Sequence, residues 1–338
     1  MKSTVVVVAV AVLLLHVLLL WLLFRPARVD TVSPDRPVRT EEEKIENETE
    51  TVEEAMPGDA PGAMDYSGFV RPSRSLPEEV TRLAEGCRAG LLLDWSNRRI
   101  LWEKEGEQQV PIASMAKMMT VLLMMEEIEA NPDLSLDTEV RVTRQAAAVG
   151  GRQVWLDPRE TFSLDQLLKI IMMHSANDAA YLVAEFLGGG EVDRFVERMN
   201  DRASELGLRR AEFVNPHGLD TREDEPVNRA TVRELAWLGA RLLQYPRVVE
   251  WASTWLSSIR EDDPRFDRFD LVSTNRLVRS YRGVTGMKTG YTRLAGFCLT
   301  ATCERDGRVL IAVVVGCESS DQRNQLVEAL FDWGWQQY

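Results

Sequence analysis

TGMKTGYTRLAGFCLTATCERDGRVLIAVVVG, residues 285–316, contains two apolar, β-branched runs, FCLTATC and VLIAVVVG, separated by the polar turn ERDG. Runs of this kind on either side of an Asp-Gly turn form an antiparallel strand pair. An amphipathic helix from about Ser320 to Trp335 follows them. Far upstream, AGLLLDW (89–95), the polar SNRR and then ILWEKEG (100–106) read as a second hairpin.

Between these strand groups the period is helical. Met115, Met118, Met119 and Leu122 recur at i, i+3, i+4 and i+7, so a buried helix is predicted to start close to Ser114. Ser163 with Gln166 makes a capping box before Leu164, Leu167, Leu168, Ile171 and Met172. Further helices are predicted from Asn177 to Leu187, from Val192 to Leu206, and from Thr231, capped by Glu234, to a stop before Pro246. Strands at both ends with helices between them imply an α+β domain, with one antiparallel sheet and a helical block inserted into it.

The chain has 338 residues, 45% hydrophobic and 28% charged, which suits a globular protein able to bury a core. Its net charge of −13 would repel a phosphate backbone, so no nucleic-acid partner is expected. With three His and four Cys, no metal site and no cofactor are expected. The charge is unevenly placed: residues 1–29 hold three basic groups and no acid, while residues 30–65 hold twelve acids against three bases.

Val5 to Phe24 is twenty residues without a charge, about 30 Å as a helix, which matches the hydrocarbon thickness of a bilayer. FRPARVD follows it in place of a small-x-small cleavage site, so residues 1–28 read as an uncleaved anchor. Counting Arg25, Arg28, Arg36 and Arg39 alone would put the following domain inside the cell. Residues 29–75, with EEEKIENETETVEE, hold too few large apolar groups to offset their ordering entropy and read as an acidic, disordered linker. The folded domain is then expected over 76–338.

Three short motifs carry chemistry. Ser114-Met115-Ala116-Lys117 is S-x-x-K, which on a helix puts the lysine amine on the same face as the serine hydroxyl. Such an amine, with a lowered pKa, is the adjacent base that a serine nucleophile requires. The pattern is expected about once by chance in a chain this long, so alone it decides nothing. Ser175-Ala176-Asn177 (S-x-N) sits at a break between two helices, where a hydroxyl and an amide can relay a proton and hold a substrate amide. Ser273-Thr274-Asn275 matches the same pattern, and position in the chain must choose between the copies. Lys288-Thr289-Gly290 occurs once, just before the C-terminal strands, where a cation, a hydroxyl and a residue without a side chain suit an extended substrate with a terminal carboxylate.

In this order and these contexts the three sets resemble the penicillin-binding D-alanyl-D-alanine carboxypeptidases, serine peptidases of cell-wall maturation. The resemblance runs from about Gly90 to the C-terminus and includes ASMAKMMT, GGRQVWL, HSANDAA, FVNPHGLD and the 285–316 stretch. It implies a β-lactamase/penicillin-binding-protein transpeptidase-like fold. It implies Ser114 as acylated nucleophile, Lys117 as its base, and Ser175 and Asn177 as the second motif. Lys288, Thr289 and Gly290 would form the substrate-binding edge strand, with the N–H groups of Ser114 and Tyr291 as oxyanion hole. The expected partners are peptidoglycan stem peptides ending in D-Ala-D-Ala, β-lactams as covalent inhibitors, and the membrane through residues 5–24. Because that substrate lies outside the cytoplasmic membrane, the domain is expected to face outward, against the arginine count.

Other readings remain open at this point. A D,D-endopeptidase uses the same residues. A class A β-lactamase needs a Glu in an E-x-x-L-N loop, and Glu212-Phe213-Val214-Asn215 is one residue short of it. A silent peptidoglycan-binding module would keep the fold without turnover. His217 in NPHGLD reads as structural, and Arg152 in GGRQVWL reads either as a residue lining the cleft or, by default, as a surface arginine. Cys298 and Cys303, five apart on one strand, point to opposite faces. If the first and last strands are antiparallel neighbours, Cys87 and Cys317 come together and can form a disulfide.

Overall fold

The computed structural model describes residues 62–220, 225–261 and 263–337. Helix α1 (Glu78–Glu85) leads into strands β1 (Ala89–Asp94) and β2 (Arg99–Lys104), the expected hairpin. The C-terminal strands are β3 (Val284–Thr292), β4 (Gly296–Arg305) and β5 (Arg308–Cys317). All five form one antiparallel sheet in the order β2-β1-β5-β4-β3, with Ala89 opposite Val315. The strand bearing Lys288 is therefore an edge, with a free side for a substrate.

The last strand can be almost continuously apolar because both of its faces are covered. Leu310, Ala312 and Val314 pack with α1 and the C-terminal helix, while Ile311, Val313 and Val315 pack with the inserted helices. Cys298 and Cys303 fall in these two opposite cores as free, buried thiols. Cys87 and Cys317, at paired strand ends, are joined by a disulfide.

The inserted block comprises α2 (Lys117–Ala130), α3 (Leu164–Met173), α4 (Asn177–Leu187), α5 (Val192–Glu205), α6 (Val232–Leu242) and α7 (Pro246–Ser253). The chain closes with α8 (Ser320–Trp335). Both anticipated capping boxes form, Ser163 with Gln166 and Thr231 with Glu234.

Two details differ from the sequence reading. The helix expected from Ser114 opens instead as a 3-10 turn over Ala113–Ala116, and its α-helical part starts at Lys117. In a 3-10 turn the side chains at i and i+3 eclipse, which stacks Lys117 over Ser114 more closely than an α-helix would. The second difference is residues 62–75, which were assigned to the linker but pack on the domain. Tyr66 and Phe69 join Trp95 and Trp237 in an aromatic cluster. Met64 N donates to Leu206 O at 2.7 Å and Trp237 Nε1 to Gly62 O at 3.1 Å. Two aromatic residues suffice to anchor a segment whose average composition is polar. The expected anchor (5–24) and the linker up to residue 61 lie outside the described residues. Among the described residues no helix is long and apolar enough to cross a membrane.

Candidate active site

Ser114, Lys117, Ser175, Asn177, Lys288, Thr289, Gly290 and Tyr291, spread over 178 positions of sequence, meet where the inserted block faces the edge strand β3. Ser114, Ser175, Asn177, Thr289, Gly290 and Tyr291 line a cleft of about 440 Å³ there. Lys117 and Lys288 lie beneath its floor, fully buried.

Lys117 Nζ has three partners: Ser114 Oγ at 3.0 Å, Asn177 Oδ1 at 2.7 Å and the backbone oxygen of His217. Two of these are carbonyl oxygens that only accept. A neutral amine satisfies the set fully, donating its two N–H bonds to the carbonyls and turning its lone pair to the Ser114 hydroxyl. Burial lowers the Lys117 pKa well below that of a free lysine. The charges of Lys288 and Arg152 act in the same direction, against Asp178. Geometry and electrostatics therefore agree on a base.

Lys288 Nζ donates to Ser175 Oγ at 2.7 Å and to Thr289 O at 3.1 Å. Burial, then the charges of Arg152 and Arg323, lower its pKa to about 7. Ser175 sits between α3 and α4 with φ +64°, a left-handed conformation that turns its side chain back toward Lys288. Asn177 opens α4 and ties the opposite wall: its Nδ2 donates to Gly150 O at 2.9 Å and its N to Arg152 O at 2.7 Å.

Close approach of backbones fixes Ser114. A Cβ on Gly290 would lie 2.9 Å from Ile112 O and 3.3 Å from Ser114 N, so the edge strand runs directly beside the serine. Gly218, at φ +78°, leaves no room at all: a Cβ there would lie 2.0 Å from Ala113 O.

Several contributors escaped the sequence reading. The second S-x-N copy is also at the site, in a different role: Thr289 Oγ1 donates to Thr274 Oγ1 at 2.6 Å, and Asn275 Nδ2 to Gly286 O at 3.0 Å. Arg152, read by default as a surface residue, lines the cleft, as do Arg276 and Arg323. Arg323 is buried, and burial lowers its pKa to about 10. Only spatial proximity marks these residues; no local pattern does. His217 supplies its carbonyl to Lys117, and its ring Nδ1 accepts from Leu219 N at 3.2 Å. Burial, with Lys117 nearby, lowers its pKa to about 3, so it stays neutral in a structural position. Among the described residues no carboxylate lines the cleft, and no group of His, Cys, Asp or Glu is placed to hold a metal. Glu212 is instead bridged through its backbone to Arg229.

A cleft serine paired with a buried lysine beside a cationic edge strand is a constellation for acyl transfer, and residues 79–319 match the D-alanyl-D-alanine carboxypeptidase family. The chain belongs to that family. It is 35% identical over 261 residues to the D-alanyl-D-alanine carboxypeptidase DacF of Bacillus subtilis, covering 77% of this chain and 65% of the relative. It is 31% identical over 255 residues to DacC of Escherichia coli, covering 73% and 61%. The match thus spans less than two thirds of either relative's length. Penicillin-binding protein D2 of Listeria monocytogenes, solved in a cefotaxime-bound form, superimposes with a TM-score of 0.66 at 27% identity, over 78% of this chain and all of that one. The fold is accordingly that of the penicillin-binding proteins, an antiparallel sheet with helices.

Proposed function

We propose that the protein is a serine D-alanyl-D-alanine carboxypeptidase that removes the terminal D-Ala from peptidoglycan stem peptides. The observation that carries this reading is the Lys117 amine, buried and held by two carbonyls with its remaining valence toward Ser114 Oγ. Lys117 takes the Ser114 proton as Oγ attacks the carbonyl carbon of the penultimate D-Ala. The N–H groups of Ser114 and Tyr291 stabilise the oxyanion. Ser175, hydrogen-bonded to Lys288, delivers its hydroxyl proton to the departing amine and is reprotonated with the proton that Lys117 took from Ser114; the C–N bond breaks, D-Ala leaves as the amine, and Lys117 is neutral again. Water then hydrolyses the Ser114 ester, with Lys117 again accepting a proton.

The terminal carboxylate is bound by Thr289 and the cations Lys288 and Arg323, all on the sheet side of the cleft. A β-lactam, which presents a strained amide and a carboxylate at a similar spacing, acylates Ser114. A class A β-lactamase reading is disfavoured, since no described carboxylate lines the cleft to activate the deacylating water. We also propose that residues 5–24 anchor the protein in the cytoplasmic membrane and that residues 76–338 act outside it, as the site of the substrate requires.

The test is D-Ala release by the full chain in detergent from diacetyl-L-Lys-D-Ala-D-Ala, alongside a cross-linked muropeptide. Release from the tripeptide that is lost in Lys117→Ala supports the reading. Cleavage of the cross-link alone would replace it with an endopeptidase, and cleavage of neither would leave a binding module.

A further inference from the structure

The loop from Gly150 to Leu156 is held by its backbone to an unusual degree. Asn177 binds Gly150 O and Arg152 O. The buried Asp178 carboxylate accepts from Val154 N and Leu156 N, each at 3.2 Å. Arg260 donates to Val154 O and Trp155 O, each at 3.0 Å. Against this rigid frame two large side chains stand in solvent. Trp155 is 68% exposed, at φ +58°, a conformation a bulky residue rarely adopts. Arg152 is exposed on the cleft wall. Its charge reaches Lys117, Lys288 and His174, lowering the pKa of each. No acidic side chain among the described residues forms an ion pair with its guanidinium, and none lines the cleft.

The cations of the cleft are divided between two walls. Arg276, Lys288 and Arg323 belong to the sheet side, where the departing D-Ala carboxylate is placed, and Arg276 is already paired with Asp321 at 3.6 Å. Arg152 belongs to the inserted block, on the Ser175 and Asn177 side. A donor chain laid along the edge strand, with its carbonyl carbon at Ser114 and its leaving residue toward Lys288, passes Arg152 on the facing wall of the same cleft. A guanidinium with no acidic partner among the described residues, carried there on a hydrogen-bonded backbone, is matched to an anion on that part of the substrate.

We propose that Arg152 is a specificity-determining residue that pairs with a free side-chain carboxylate on the residue preceding D-Ala-D-Ala, an inference that rests on the carboxypeptidase reading above. The enzyme then favours stem peptides carrying a diamino-dicarboxylic or other acidic residue at that position over the amidated or purely basic forms.

The test uses two acetylated tripeptides X-D-Ala-D-Ala, with X either L-2-aminopimelate or its side-chain amide, which differ only in that carboxylate. A charge-assisted hydrogen bond contributes about 1.5–3 kcal/mol, so kcat/KM for D-Ala release is expected to favour the acid about 10- to 100-fold. In Arg152→Gln the ratio should fall to within about twofold of unity, and in Arg152→Lys part of it should return. The ratio is the readout because loss of the Arg152 charge also changes Lys117 and Lys288, and that effect acts on both substrates alike. Equal turnover of the two tripeptides by the wild type, or a preference that persists in Arg152→Gln, overturns the inference and leaves the carboxypeptidase intact. Release of D-Ala from neither peptide overturns the carboxypeptidase reading and the inference with it.

Discussion

Gly218→Ala removes nothing and adds one methyl group, yet it should disable the site. The residue has φ +78°, where an L-residue costs roughly 1–2 kcal/mol. Its new Cβ would lie 2.0 Å from Ala113 O, 2.3 Å from Ala113 C and 2.7 Å from Ser114 N, all backbone atoms that cannot rotate away. Overpacking of this kind adds about 1–3 kcal/mol. The sum, about 2–5 kcal/mol, corresponds to a fall in Tm of about 4–20 °C for a domain of this size. The displaced atoms belong to the turn that carries Ser114, and His217, next in the chain, holds Lys117. Misplacement by about 1 Å costs on the order of 100-fold in rate, so the acylation rate constant with benzylpenicillin should drop at least tenfold. Two other glycines separate the contributions. Gly307, at φ +74° with open space around its Cβ position, should show only the dihedral cost in Gly307→Ala, with unchanged acylation. Gly150 has neither constraint, and Gly150→Ala should keep the wild-type Tm within about 2 °C. Differential scanning calorimetry and stopped-flow acylation read all three. A Gly218→Ala protein with wild-type Tm and wild-type acylation would refute the tight abutment on which the site's geometry depends.

In the proposed reaction Lys117 acts as a base only when neutral and Lys288 attracts a carboxylate only when charged, so kcat/KM should rise through the lowered pKa of Lys117 and fall above pH about 7 as Lys288 deprotonates. A profile that keeps rising to pH 9 would contradict the second assignment. Because the folded pKa of Lys288 lies below its unfolded value, the unfolded chain binds the extra proton between about pH 7 and 10. The stability of the wild type relative to Lys288→Met should therefore increase with pH across that window, and a flat difference in urea midpoints would contradict it. The Cys87–Cys317 disulfide closes a loop with a sequence separation of 230. On chain-entropy grounds its loss in Cys87→Ala/Cys317→Ala should cost up to about 5 kcal/mol, read as a lower guanidinium midpoint, and an unchanged midpoint would show that the bond does not constrain the unfolded chain.

Features encoded by short-range patterns were the ones legible in the sequence. The C-terminal helix from Ser320 to Trp335, both capping boxes and the β4–β5 hairpin each depend on residues a few positions apart. Ser114 and Lys117 were readable for the same reason, although the tightening of their turn to 3-10 geometry was not. The disulfide followed from strand order, because Cys87 and Cys317 flank strands that pair. What sequence could not supply is set by distant contacts. Tyr66 and Phe69 look like linker residues until Trp95 and Trp237 are placed beside them. Ser273-Thr274-Asn275 repeats the pattern of Ser175-Ala176-Asn177, and the fold puts the Ser175 hydroxyl against Lys288 and the Thr274 hydroxyl against Thr289. Arg152 and Arg323 carry no local signature; their meaning comes from a cleft that no stretch of sequence contains by itself.

The proposed function requires Ser114 to be the nucleophile and Lys117 to be its base. Intact-mass measurement of the full chain after incubation with benzylpenicillin tests this most directly, with Ser114→Ala alongside. A single persistent adduct of the whole drug on the wild type, absent from Ser114→Ala, is the predicted result. An adduct that survives in Ser114→Ala, or a wild-type chain that stays unmodified, would contradict it.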